Sequence, residues 1–161
     1  MNDRLIKILL SLTVGSYISL VCFNNITDYA SNFQFVHMVA KMEDTFSFST
    51  NSWRSIQNTG LHHALYVVII GWELAIAGCL IFGAYKMFKA LKSPNAEFKE
   101  AKKFTGLGFA LGIILWFFVF ITVGGEWFLM WQSTKWNAQS NAFFLTCCFL
   151  LFLIHHNQEN N

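Results

Sequence analysis

Charged side chains make up only 12% of the 161 residues, about half the roughly 25% of a soluble domain. That deficit removes the solvated surface a water-soluble fold needs, so lipid is the expected solvent. The net charge of +2 is too small to imply a nucleic-acid partner. Proline is almost absent: Pro94 is the one instance, in Ser93-Pro94-Asn95, where a turn is expected. There is no internal repeat and no low-complexity linker. The four cysteines (Cys22, Cys79, Cys147 and Cys148) lie inside apolar runs and show neither metal-ligand spacing nor a secreted-type framework. They are read as small hydrophobes. No nucleophile–base pair, phosphate loop or zinc-protease pattern occurs, so the chain is read as non-enzymatic, without metal or cofactor.

What the chain has in abundance is apolar and aromatic surface: 55% hydrophobic residues, with 18 Phe and 6 Trp. Four runs, at about residues 6–23, 62–85, 104–123 and 138–156, suit helices crossing a hydrocarbon core about 30 Å thick. The fourth reaches spanning length only if its helix begins near Ala138. The first follows Arg4 and Lys7, as a signal peptide would, but no A-x-A-like cleavage site follows it. It is therefore read as an uncleaved span. Arg4, Lys7, Lys86, Lys89, Lys92, Lys99, Lys102 and Lys103 fall on one side, against Lys41, Arg54 and Lys135 on the other. The positive-inside rule then puts both termini in the cytoplasm. Between the first two spans, Phe33, Val36, Val39, Met42 and Phe46 recur at helical spacing, which predicts an amphipathic helix over about 29–46 on the outer face. Trp53, Tyr66, Trp127, Trp131 and Trp136 are placed in an aromatic belt, and the tail from Asn157 to Asn161 is expected to fray. The fold expected is all-α: one membrane domain, a four-helix bundle with an amphipathic helix in its first extracytoplasmic loop.

Burial alone does not drive helix association in lipid, whereas small residues four apart let backbones approach. Span 1 offers Ser11, Gly15 and Ser19; span 2 offers Gly71, Ala75, Cys79 and Gly83; span 3 offers Gly108 and Gly112. Whether these stripes face each other or another subunit stays open.

Glu73 stands out. It lies near the middle of span 2, where an acidic residue costs about 2.5–3.5 kcal/mol to insert. No Lys or Arg shares that depth, and the hydroxyls of Thr13, Ser16 and Tyr17 on span 1 are the expected partners. Glu73 and the Gly71–Gly83 stripe occupy different faces of one helix, so both faces are not expected to meet lipid. Three readings stay open for Glu73: a neutral acid bonded to span 1, a docking or ligand contact, or a step in a proton or ion pathway. His62, His63, His155 and His156 sit at span edges rather than at mid-depth, so a bundle haem is not expected. His37 with Glu43 or Asp44 is read as a solvated face rather than a metal site. Gly124-Gly125 can bend the end of span 3 and turn Glu126 towards Arg54.

Two stretches carry a resemblance. Asn25-Ile26-Thr27-Asp28-Tyr29 with Asn32-Phe33-Gln34-Phe35-Val36 heads the first loop. Gly124-Gly125-Glu126-Trp127-Phe128, then Met130-Trp131-Gln132-Ser133 and Trp136-Asn137, follows span 3. Together with the four-span layout they resemble a bacterial family of predicted small integral membrane proteins of unknown function, over nearly the whole chain. The resemblance implies a bacterial inner-membrane location and brings no activity or functional residues. Both motifs fall on the outer side, so Asp28, Tyr29, Phe33, Arg54, Glu126, Trp127 and Trp131 are expected in an outer cap joining loop 1 to loop 3. The leading functional expectation is an accessory or structural subunit of a larger membrane complex, its partners being membrane lipid and other subunits or further copies. The alternative is a small oligomeric transporter or ion-translocating protein using Glu73. A membrane enzyme acting on lipid or quinone is a third reading, resting only on the aromatic surface.

Overall fold

Backbone polar groups in hydrocarbon must find partners within their own segment, which makes a helix of each apolar run. The computed structural model describes residues 3–158 and contains no strand among them. The helices are α1 (Asp3–Thr27), α2 (Tyr29–Lys41), α3 (Thr59–Lys89), α4 (Asn95–Ala101), α5 (Lys103–Ile113) and α6 (Gln139–Asn157). A π-helical segment, Ile114–Trp127, continues directly from α5. Four stretches are long and apolar enough to cross a membrane: Asp3–Thr27, Thr59–Lys89, Asn95–Trp127 and Gln139–Asn157. Between 22% and 39% of the most apolar part of each is buried. Leu, Val, Ile and Phe dominate the large side chains exposed on these spans, a surface suited to lipid.

The helices run a few residues beyond the expected spans, and three differences bear on the site. α1 runs past residue 23 to Thr27, so Asn25 is helical rather than part of a loop. α2 stops at Lys41 rather than near 46, because Met42 adopts the left-handed conformation (φ 56°) and its amide closes on the Val39 carbonyl. Gly124 and Gly125 do not break the helix; the π winding passes through them and ends at Phe128, whose amide bonds to the Val123 carbonyl five residues back. Of the tail expected to fray, Asn157 closes α6 and residues 159–161 lie outside the described residues.

α1 and α3 run antiparallel. Leu80 of α3, fully buried, sits between a glycine of α1 and a glycine of α5. A Cβ on Gly15 would stand 3.2 Å from Leu80 Cβ, and one on Gly108 would stand 2.8 Å from Leu80 Cγ. Further along, a Cβ on Gly83 would meet the Thr105 backbone nitrogen at 2.6 Å, and one on Gly112 would lie 2.1 Å from the Phe149 ring of α6. At Gly83 the missing side chain lets backbone meet backbone, and at Gly15, Gly108 and Gly112 it lets a neighbour's side chain pack against the helix backbone. Ser11 and Ser19 contribute differently, returning their hydroxyls to the carbonyls of Lys7 and Gly15 in their own helix. The span 2 stripe is split. Gly83 is buried and Cys79 half-buried, but Gly71 and Ala75 are exposed, and nothing lies within 4 Å of a Cβ built on Gly71 or on Gly78.

The lysine-rich end is fastened by polar contacts. Arg4 donates to the Leu91 and Ser93 carbonyls at 3.0 and 2.6 Å and lies over the Phe98 ring. Lys7 is buried, donates to the Gln158 carbonyl at 2.6 Å and pairs with Asp3 at 2.8 Å. His156 Nε2 lies 2.8 Å from Thr105 Oγ1 and 3.1 Å from the Lys102 carbonyl.

These contacts separate two kinds of glycine. Gly83→Ala pushes a methyl into backbone and should cost about 1–3 kcal/mol of stability. Gly71→Ala meets open space and should be neutral or stabilising by up to about 1 kcal/mol. Unfolding of both variants in detergent, followed by far-UV circular dichroism, checks the contrast.

Candidate functional site

Side by side, α1 and α3 bring Gly15 to Leu80 and Cys22 to Ile70, whose carbonyl the Cys22 thiol reaches at 3.8 Å. In that register Glu73 lies level with the last two turns of α1, not with its middle. Thr13, Ser16 and Tyr17, the expected partners, are exposed elsewhere on α1, and Thr13 spends its hydroxyl on the Leu9 carbonyl. The partner is Asn25. Its amide Nδ2 donates to both oxygens of Glu73, at 3.0 and 2.8 Å, and Glu73 is only 1% exposed. The difference is one of depth: α3 overhangs the end of α1, so the midpoint of one helix is not level with the midpoint of the other.

A polar and aromatic chain continues from this pair. The carbonyl of Asn25 belongs to the last turn of α1, where carbonyls lack a helical donor, and Tyr66 OH supplies one at 2.9 Å. Tyr66 is buried, so it belongs to the interior rather than to the belt. Its ring meets Tyr29 edge-on at 4.8 Å, and Tyr29 OH bonds to His63 Nδ1 at 2.9 Å. Phe33 stacks on His63 with centroids 3.9 Å apart. Nearby, His37 Nδ1 and His62 Nδ1 are 2.9 Å apart, and His62 Nε2 reaches the Ile56 carbonyl at 2.9 Å. A carbonyl only accepts, so His62 Nε2 carries hydrogen. In the neutral ring Nδ1 then accepts from His37. The pair ties α2 to α3. His62 is wholly buried, which edge-of-span reasoning did not reveal.

The remaining cap residues fall in two groups. Asp28 precedes α2, exposed, and makes no side-chain cap bond. Loop 1 meets the segment after the π helix: Asp44 accepts from Ser133, the Phe46 amide donates to Gln132, and Phe46 packs edge-on against Trp131. Arg54 reaches the Trp127 carbonyl at 3.5 Å and lies over the Trp53 and Trp127 rings. Glu126 is exposed on the same shallow hollow, and the contact Arg54 makes is with Trp127.

His37, Glu43 and Asp44 go to three different partners: His62, Lys41 and Ser133. Lys41 holds the Glu43 carboxyl below its usual range through a direct hydrogen bond. No grouping of three or more metal-ligating side chains occurs among the described residues.

The chain belongs to the family of predicted small integral membrane proteins of unknown function (DUF2165), whose sequence profile matches residues 3–159. No curated protein and no solved structure matches it.

Asn25→Leu leaves the buried carboxyl unpartnered and should cost about 1–3 kcal/mol of stability. Glu73→Gln keeps one acceptor for Asn25 and should cost less; the reverse order in detergent unfolding would refute this pairing. His37 is pushed below its ordinary value of 6.5 by partial burial, then by His62 and Lys41, with Glu43 opposing and His63 adding slightly. A folded-state value below the unfolded one means the unfolded state binds more protons, so stability falls as pH drops through and below about 6.5. Amide protection factors in α2, taken relative to the intrinsic exchange rate at each pH, should therefore fall from pH 7.5 to 5.5, and His37→Gln should flatten that dependence.

Proposed function

We propose that this family member is a non-catalytic subunit of a membrane assembly, holding a transmembrane helix of a partner or of a second copy against the outward face of α3. One observation carries the reading. Gly15, Gly83, Gly108 and Gly112 are all in close contact inside the bundle, whereas Gly71 and Gly78, flanking exposed Ala75, have nothing within 4 Å of a Cβ built on them. Glycines cost helix stability and expose backbone to lipid, and a strip of them is where a second helix packs closely. Glu73 supports the same reading: closed off by Asn25 and 1% exposed, it serves the fold rather than a solute path. We further infer a bacterial inner-membrane setting with both termini cytoplasmic. The support is charge: Arg4, Lys7 and the 86–103 lysines gather at one end, opposite Lys41, Arg54 and Lys135.

Gly71→Leu with Gly78→Leu fills the strip without touching the bundle. In-membrane crosslinking of the full chain, with a sidedness reporter on each terminus, should give a stoichiometric adduct for the wild type and lose it in the variant. Both reporters should read cytoplasmic. A wild-type chain that remains a lone monomer in native membranes would sink the docking reading, and a terminus reading outside would sink the orientation.

A further inference from the structure

Under α2, an apolar cavity of about 260 Å³ opens between α2, the first half of α3 and the π-helical segment. Val36 and Val39 form one wall, Leu65 and Trp72 a second, and Val119 and Gly124 a third. An engineered apolar cavity of about 150 Å³ already accepts a benzene ring, so this one takes a longer hydrocarbon. Along α3 it runs from Leu65 to Trp72, roughly 10 Å at the helical rise.

At its upper end the cavity shares Leu65, Val123 and Phe128 with a second hollow, which is lined by Arg54, Glu126 and Trp127. Arg54 is half-buried there, and its Nε is buried with no hydrogen-bond partner. Its guanidinium lies over both Trp53, 70% exposed, and Trp127, 46% exposed, whose rings meet edge-to-face at 5.9 Å. An apolar slot at span depth thus leads to an under-satisfied cation flanked by aromatic rings of the kind that sit at headgroup level. Such a cation is matched by a phosphate, to which it gives charge-assisted hydrogen bonds. Glu126 on the same rim opposes an anion.

We propose that this paired hollow is a phospholipid site, with one acyl chain between α2, α3 and the π-helical segment and the phosphodiester against Arg54. Gly124 lies on the cavity wall, and the atoms nearest a built Cβ, the Val119 carbonyl and the tip of Met130, stand off at 3.6–3.8 Å, ordinary van der Waals distances. The chain's room is therefore left by a missing side chain. This site lies on a different face of α3 from the Gly71–Gly78 strip, so the two proposals stand or fall separately.

The test is native mass spectrometry of the full chain from nanodiscs of phosphatidylglycerol, scoring lipid retained through detergent exchange. The wild type should keep one phosphatidylglycerol. Arg54→Gln should reduce retention about tenfold by removing the phosphate's partner, and Gly124→Leu should reduce it comparably by filling the slot. Glu126→Gln should raise it, and Gly71→Leu with Gly78→Leu should leave it unchanged. Inorganic phosphate should not displace the lipid, and diacylglycerol of the same chains should be lost. Retention of diacylglycerol as firmly as phosphatidylglycerol, or equal retention by wild type, Arg54→Gln and Gly124→Leu, would overturn the proposal. The Arg54→Gln arm, at the rim, keeps it testable should Gly124→Leu fail to fold.

Discussion

Leu80 occupies a space that exists only because two facing residues have no side chain. In water, packing a leucine is rewarded by the solvent it leaves; in a bilayer the lipid tails offer the same apolar surroundings. What remains is dispersion between closely fitted atoms, which falls off over fractions of an ångström. Gly15 and Gly108 supply that closeness on the two sides of Leu80. Their contact with it fixes the register of α1 and α5 against α3. The register in turn sets Glu73 against the last turns of α1, within reach of Asn25. The polar pair is a consequence of the glycine contacts, and it adds directionality to an interface that dispersion alone leaves slippery.

The two ends of the bundle are closed by different chemistry. At the lysine-rich end the contacts are charged groups on backbone carbonyls: Arg4 on Leu91 and Ser93, Lys7 on Gln158. At the other end rings do most of the work, with Tyr29, Phe33 and His63 stacked and Tyr66 set edge-on to Tyr29 between α2 and α3, and Trp53, Arg54 and Trp127 clustered at the end of the π helix. Met42 and Leu129, both with φ of 56°, end α2 and start the turn after the π helix, and they are buried beside each other with Phe128. Backbone strain of about 1–3 kcal/mol at such positions is held in place by that shared burial.

Hydropathy revealed the four helices because a run of apolar residues long enough to span has few other fates. It revealed their glycine contacts only in part: Gly83, Gly108 and Gly112 pack inside, whereas Gly71 and Ala75 look outward, and residue spacing alone cannot separate the two. Glu73 was conspicuous, but its partner was not. Sequence places Asn25 in a loop because asparagine interrupts apolar runs, yet the helix continues through it, since Tyr66 and Glu73 take up its polar groups. Arg4 and Lys7 registered as charge, not as donors to distant carbonyls, because such contacts join residues 87 and 151 positions apart. His62 looked like an edge residue, and becomes buried only when α2 folds over it.

The bond from Lys7 to the Gln158 carbonyl joins the first helix to the final turn of the last one. Lys7 and this acceptor stand 151 positions apart, so until the fourth span docks the ammonium has only Asp3 of its own helix for a partner. A chain whose fourth helix fails to insert would leave Lys7 with Asp3 alone, uncovered where the docked helix closes a seam over it. That seam thus couples the seating of the last helix to the burial of a charge on the first.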